Sequence, residues 1–192
     1  MVAASNLEPG QKAVDFELRN ANSNVGLEIM SLADVVGDSG GIIVFTCNHC
    51  PYVVASESRI ESMANRCKSL GLGFVGINSN DPDTYPDDDW DHMVARANSM
   101  SYPYLHDSDQ MVAHAYGAQR TPEFYLLDGS SRIIYRGRMD DSPRDPTTVS
   151  ATELEDAVAA LITGNSVTVS RTDSIGCSVK WNPFTFTKQI DK

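Results

Sequence analysis

Gly41-Ile42-Ile43-Val44-Phe45-Thr46-Cys47-Asn48-His49-Cys50-Pro51 carries the strongest structural signals in this sequence. Residues 41–46 are almost wholly apolar and rich in β-branched side chains, and the run is too short for a stable helix. A strand that is apolar on both faces is typical of the centre of a parallel sheet. Pro51 suits the first turn of a helix, where its missing amide hydrogen matters least. The stretch therefore predicts a buried strand that ends at Cys47 and leads into a helix.

A helix and a second strand are predicted directly downstream. Gly71 and Gly73 end the helix, and an apolar stripe at helical spacing predicts its buried face: Ile60, Met63, Ala64, Cys67 and Leu70. Residues 74–78 have the composition of a further buried strand. A strand, a helix and a strand in this order predict a right-handed parallel crossover unit.

The remaining patterns complete an α/β fold. Alternating residues predict an N-terminal β-hairpin, and Asp128-Gly129 predicts a second hairpin near the end of the sheet. The predicted strands are 15–18, 27–30, 123–127 and 132–135, and further helices are predicted at 31–36, from Pro86, at 109–116 and after a capping box of Ser150 with Glu153. The fold class is a central mixed β-sheet flanked by helices. Residues 1–192 are expected to form one domain, with 165–192 as an extension of uncertain structure.

The acidic composition excludes some classes of partner. Fifteen Lys and Arg residues against 26 Asp and Glu residues give a net charge of -11. Such a surface repels phosphate backbones and anionic lipid, so neither nucleic acid nor a membrane is an expected partner. No apolar run approaches the ~20 residues of a membrane helix, and residues 1–12 lack the ~7–15 apolar residues of a signal peptide. The expected localisation is therefore cytoplasmic.

The pair Cys47 and Cys50 is the main chemical signal. The thiolate is the reactive form of cysteine, and it is stabilised at a helix N-terminus. We expect Cys47 to be the acidic sulfur that attacks a disulfide, with His49, and Asn48 beside it, modulating its reactivity. Cys50 is expected inside the first helical turn, less exposed and more thiol-like, where it resolves the mixed disulfide by attacking Cys47.

A metal site is the alternative for a closely spaced cysteine pair. A structural zinc needs four ligands, usually from two such pairs, and this sequence has no second pair. Neither a metal nor another cofactor is therefore expected. Cys67 is predicted to lie in the core. For Cys177 a buried structural role is favoured, and a third redox thiol that exchanges with the dithiol is the alternative.

An acidic run precedes the predicted third helix. Six of the eleven residues from Asp81 to Asp91 are Asp. The run lacks the spacing of an EF-hand, and aspartates are favourable in a first helical turn. We therefore expect a solvated helix cap there.

Several motifs together resemble one known family, the thioredoxin-like branch of the peroxiredoxin/redoxin (AhpC/TSA-like) superfamily that carries a Cys-Asn-His-Cys sequence. The matching stretches cover nearly the whole chain; they are 45–53, 76–81, 115–118, 121–124, 137–141 and 176–181. The resemblance implies a thioredoxin fold with the N-terminal hairpin as an extension. It also implies that Pro122 is a cis-proline facing the dithiol, and that Thr121, Pro122 and Tyr52 contact the substrate.

One departure from the family pattern bears on activity. Peroxiredoxins place Thr or Ser three residues before the reactive cysteine and Pro seven before it. Val44 and Gly40 occupy those positions relative to Cys47, and Cys47 and Ile43 occupy them relative to Cys50. Efficient peroxidase action is therefore not expected from this pattern.

The function expected from the resemblance and the dithiol is a thiol-disulfide oxidoreductase. Its expected partners are protein or small-molecule disulfide substrates and a thiol electron donor. A thiol-dependent peroxidase of the peroxiredoxin type is the first alternative. A non-catalytic redox sensor or metal-binding module is the second.

Overall fold

The computed structural model describes residues 6–185. The strands are β1 (Glu17–Asn20), β2 (Ile29–Ser31), β3 (Gly41–Phe45), β4 (Gly73–Asn78), β5 (Tyr104–His106), β6 (Arg120–Thr121), β7 (Glu123–Leu127), β8 (Ile133–Gly137) and β9 (Cys177–Ser178). The α-helices are α1 (Leu32–Val35), α2 (Pro51–Ser69), α3 (Trp90–Ala97), α4 (Met111–Tyr116) and α5 (Glu153–Thr163). Short 3-10 turns lie at Pro86–Asp88 and Pro146–Thr148.

Seven of these strands form one mixed sheet in the order β2-β1-β5-β4-β3-β7-β8. β3 lies inside the sheet, parallel to β4 and antiparallel to β7. β1 and β2 form an antiparallel hairpin at one edge, and β7 and β8 form another at the opposite edge. The predicted buried strand, parallel crossover and two hairpins are therefore confirmed.

The side chains of β3 alternate between two cores, one on each face of the sheet. Ile42 and Val44 pack on the side that holds α2, α3 and α5. Ile43 and Phe45 pack on the side that holds α1 and α4. All five residues of β3 are buried, because helices cover the sheet on both faces.

The sequence predicts one parallel crossover, but the structure contains two. β5 lies parallel to β4 and follows α3, so β4-α3-β5 repeats the arrangement of β3-α2-β4. The strand has only three residues and follows Pro103, so it is too short to produce a visible alternation. Its position lets the Tyr104 hydroxyl reach Asn48, in the loop that follows β3.

The capping box predicted for α5 is wrong. The helix begins at Glu153, after Thr152, and the Ser150 hydroxyl donates a hydrogen bond to Asp141 instead of to the helix. The Glu153 carboxylate pairs with the Arg138 guanidinium. Ser150 therefore fixes the loop before the helix.

The segment after α5 returns to the C-terminal ends of the parallel strands. β9 forms a two-stranded antiparallel sheet with β6, in which Thr121 pairs with Cys177. Residues 186–192 of the predicted extension lie outside the described residues. Among residues 6–185, every helix is too short or too polar to span a lipid bilayer.

Candidate functional site

Cys47 and Cys50 lie in the loop between β3 and α2, with both side chains fully buried. Pro51 is the first helical residue, so Cys50 is the N-cap residue and not part of the first turn as predicted. The two cysteines form a small apolar cluster with Val53, against which Tyr52 and Cys177 pack. The predicted difference in exposure between the two cysteines is therefore absent.

Thr121 contacts both sulfurs of the pair. Its hydroxyl oxygen lies 3.5 Å from Cys47 Sγ. Its carbonyl oxygen accepts a hydrogen bond from the Cys50 thiol, with Sγ 3.1 Å away. The bond between Thr121 and Pro122 is cis, as the family resemblance implies. The structure thus brings Thr121 and Tyr52 to the dithiol, with Pro122 adjoining Thr121.

Asp88 is a fully buried carboxylate that supports the loop of the dithiol. Its Oδ1 accepts hydrogen bonds from the Asn48 amide at 2.6 Å and from Asn78 Nδ2 at 3.2 Å. Its Oδ2 accepts from Asn80 Nδ2 at 2.9 Å and lies 2.5 Å from His49 Nδ1. A buried carboxylate requires several such partners to remain ionised.

The burial of Asp88 corrects the sequence prediction of a solvated acidic cap. That prediction holds for Asp89, which caps α3 by accepting a hydrogen bond from the His92 amide. It is wrong for Asp88 and also for Asp81, which is buried and bonds to Thr84 and Asn182. The sequence around Asp88 does not show that this one aspartate is buried, because its hydrogen-bond partners come from the end of β4 and from the dithiol loop.

His49 and Asn48 are held by side chains from different parts of the fold. The His49 ring stacks on Tyr85, with centroids 5.0 Å apart and planes 6° from parallel. The Asn48 side chain donates to the Asp87 carbonyl at 2.7 Å and accepts from the Tyr104 hydroxyl at 2.8 Å. The conformation of the loop is therefore fixed on both sides of Asp88.

The groups around the two sulfurs act differently on their pKa values, and the Thr121 carbonyl, which accepts from the Cys50 thiol, favours the protonated form of Cys50. The hydrogen bond from the Cys47 thiol to the Cys50 sulfur lowers the pKa of Cys50. Burial raises this pKa, whereas contacts with Cys177 and with the Val53 amide lower it further. The same bond, burial and the negative charge of Asp88 raise the pKa of Cys47. The negative charge of Asp88 beside Cys47 and the contacts of Cys50 therefore act against the predicted order, in which Cys47 is the more acidic sulfur.

One donor group from each of Cys47, His49 and Asp88 lies within 4.8 Å of the others. Three such groups approach the donor set of a zinc site, although a structural zinc has four ligands. The Asp88 oxygens are already engaged by four hydrogen bonds. These groups therefore fit a network of hydrogen bonds better than a metal centre.

Removing the charge of Asp88 is expected to make Cys47 more acidic. In Asp88→Asn the negative charge next to Cys47 disappears, and the pKa of Cys47 should fall because that charge is one cause of its elevation. The measurement is the pH dependence of thiolate absorbance in a Cys50→Ala background. Asp87→Asn, an exposed neighbour, is the control. An unchanged Cys47 titration in a folded Asp88→Asn protein would contradict the assigned charge effect.

Comparison with known proteins identifies the fold. The AhpC/TSA family profile matches residues 9–136. An uncharacterized conserved protein from Geobacillus kaustophilus is 38% identical, with a TM-score of 0.85 over 92% of this chain and 94% of that one. A hypothetical protein from Sinorhizobium meliloti is 34% identical, with a TM-score of 0.83 over 93% of this chain and 97% of that one. No curated protein sequence matches the chain.

A more distant structure shares the same architecture. The thioredoxin domain of a thiol-disulfide oxidoreductase from Bacteroides vulgatus is 18% identical, with a TM-score of 0.56 over 72% of this chain and 94% of that one. At this identity the likeness concerns the fold alone. The predicted thioredoxin fold is confirmed.

Proposed function

The chain belongs to the AhpC/TSA family, and from that premise we propose that it is a thiol-disulfide oxidoreductase that works through Cys47 and Cys50. The observation that carries the proposal is the buried pair of cysteines at the junction of β3 and α2, packed together and both in contact with Thr121. Family members are usually oxidoreductases or peroxidases, and both activities begin with a cysteine thiolate.

The charges around the sulfurs support an order of events opposite to the one predicted from the sequence. The Cys50 thiolate attacks one sulfur of a substrate disulfide, so a mixed disulfide forms and the other substrate sulfur leaves as a thiolate. Cys47 then loses its proton and attacks Cys50, which releases the reduced substrate and leaves the Cys47–Cys50 disulfide. Asp88 and His49, with donor atoms within 4.8 Å of the Cys47 sulfur, are the nearby groups to accept that proton.

Substrate contacts are proposed for Thr121, Pro122 and Tyr52. Tyr52 is half-buried against the dithiol and lies under the Arg144 guanidinium, 5.5 Å from its ring centroid. Both reactive sulfurs are covered in this structure, so a bulky disulfide must displace part of the cover before it can react. The proposed partners are disulfide substrates and a thiol electron donor, and the proposed compartment is the cytoplasm.

The test of this function is disulfide reduction by the purified chain. We expect the protein to accelerate the reduction of insulin by dithiothreitol, and to yield a Cys47–Cys50 disulfide on oxidation. Cys67→Ala is the matched control, because Cys67 is also buried but lies in the core, on the inner face of α2. Absence of turnover, together with stoichiometric zinc binding by the reduced protein, would favour a metal-binding module instead.

A peroxidase is the second candidate, and the burial of the two sulfurs favours it. A small peroxide can reach a covered sulfur more easily than a protein disulfide can. In that reaction the Cys50 thiolate would be oxidised to a sulfenic acid, which Cys47 would convert to a disulfide with release of water. Stopped-flow oxidation by hydrogen peroxide separates the two functions. A rate no faster than that of a free thiol of equal pKa would exclude the peroxidase.

A further inference from the structure

A third sulfur lies against the dithiol from the far end of the chain. β9 pairs with β6 so that Cys177 is directly opposite Thr121, the residue that contacts both Cys47 and Cys50. The Cys177 side chain packs on the dithiol cluster and lies close enough to Cys50 to lower the pKa of the Cys50 sulfur. Cys50 therefore has two thiol neighbours.

Gly176 makes this close approach possible. A Cβ atom at this position would lie 2.2 Å from the Thr121 carbonyl oxygen and 3.2 Å from the Pro122 nitrogen. Any side chain there would push β9 away from β6 and carry Cys177 away from the dithiol. The φ angle of Gly176 is not in the left-handed region, so its backbone conformation does not itself require glycine. The close approach of the two backbones does.

The three sulfurs differ in their access to solvent. Cys47 and Cys50 are fully buried, whereas Cys177 is partly exposed. Among the cysteines that contact Cys50, Cys177 alone can meet an external thiol without movement of the loop. Residues 9–136, which match the AhpC/TSA profile, do not include it.

We propose that Cys177 is a third redox thiol, which exchanges with the Cys47–Cys50 disulfide and brings it to the protein surface. The inference rests on the proposed function of the dithiol. The Cys177 thiolate, having lost its proton to water, attacks Cys50 Sγ; the Cys50–Cys177 bond forms and the Cys47–Cys50 bond breaks. Cys47 leaves as a thiolate and takes up a proton, so the exchange needs no other oxidant or reductant.

An external dithiol then completes the cycle. Its thiolate attacks the exposed Cys177 sulfur, and Cys50 leaves as the thiolate that the site stabilises. The second thiol of the donor releases Cys177 and forms the donor disulfide. All three protein thiols are then regenerated, with two electrons taken from the donor.

Formation of the Cys47–Cys50 disulfide changes the charges around Cys177 in the direction that favours the Cys177 thiolate, which the exchange requires. In the reduced protein, burial raises the pKa of Cys177 to about 11, with the hydrogen bond to Cys50 and the charge of Cys50 adding to the effect. Lys180 and Arg120 act in the opposite direction. Once Cys50 is part of a disulfide its negative charge is gone, so the two cations act on Cys177 without that opposition.

The direct test uses a chain in which only Cys50 and Cys177 remain. We expect Cys47→Ser/Cys67→Ala to lose two thiols per chain on oxidation with diamide. Trypsin then leaves Cys50 and Cys177 on separate peptides, which mass spectrometry should find joined by a disulfide. Gly176→Ala in the same background keeps both thiols but displaces β9, and should slow this step at least about tenfold. Disulfide-linked dimers without a Cys50–Cys177 bond, formed by the folded protein, would overturn the proposal.

A second measurement uses the chain with its dithiol intact. Oxidised Cys177→Ser should be reduced by dithiothreitol at least about tenfold more slowly than the oxidised wild-type protein, because its remaining disulfide is buried. Cys67→Ala is the control and should be reduced at the wild-type rate. Equal rates for all three would overturn the role of Cys177 and leave the dithiol function standing. Failure of the proposed function would appear separately, as a wild-type chain that forms no Cys47–Cys50 disulfide.

Discussion

Replacing Cys50 with serine is expected to lower insulin reduction by at least about 1000-fold, a loss on the scale seen when a catalytic nucleophile is removed. Cys50 carries the sulfur whose pKa is lowered, and it is the sulfur in contact with both other thiols of the cluster. Serine keeps the size of the side chain but does not form a comparable anion. The variant should fold normally, because the thiol at this position makes only weak hydrogen bonds.

A second variant shows whether Cys50 or Cys47 attacks the substrate first. Cys47→Ser/Cys177→Ser keeps the Cys50 thiolate but removes both sulfurs that could resolve its mixed disulfide. It should therefore accumulate a covalent adduct with the substrate, detectable by intact mass. If Cys50→Ser forms the adduct and this double variant does not, Cys47 is the attacking sulfur and the order predicted from the sequence is right.

Truncating Arg136 to alanine is expected to reduce the free energy of unfolding by about 3–5 kcal/mol, as for other broken buried ion pairs. The guanidinium is fully buried and lies 2.8 Å from the Glu123 carboxylate, which is buried as well. It also donates to the Leu7 and Gly117 carbonyl groups. Alanine would leave the Glu123 charge without its cation inside the protein.

Urea unfolding followed by circular dichroism measures this effect. Arg132→Ala is the matched control, because Arg132 is exposed and donates one side-chain hydrogen bond, to the Gly10 carbonyl. It should change the stability by less than about 1 kcal/mol. The double variant Arg136→Met/Glu123→Leu should recover part of the loss, since it removes both charges. A loss below about 1 kcal/mol in Arg136→Ala would contradict the assigned importance of the pair.

The central part of the fold is predictable from the sequence because its signals are local. The apolar run 41–46 predicts β3, Pro51 predicts the start of α2, and the glycines after α2 predict its end, as the structure confirms. The sequence does not predict β5, and it predicts the wrong cap for α5. β5 depends on pairing with β4, and Ser150 had a competing partner in Asp141.

The sequence predicts which residues form the site, but it does not predict the buried charge beside the sulfurs. The sequence brings Cys47 and Cys50 together by spacing, and the family resemblance supplies Thr121 and Pro122. The burial of Asp88 depends on Asn78 and Asn80, which reach it from the end of β4. That anion and the contact of Cys177 with Cys50 act on the pKa values of the two sulfurs, and neither is visible in the residues around the dithiol.

The pairing of β9 with β6 has a consequence for biosynthesis. The two cysteines of the dithiol leave the ribosome long before β9, and at about 5–20 residues per second the intervening chain takes on the order of 10 s to make. During that interval the nascent thiols lack the strand that later covers them. Thiols without that cover can exchange with other thiols and disulfides, so the yield of active protein should depend on how reducing the cell is during translation.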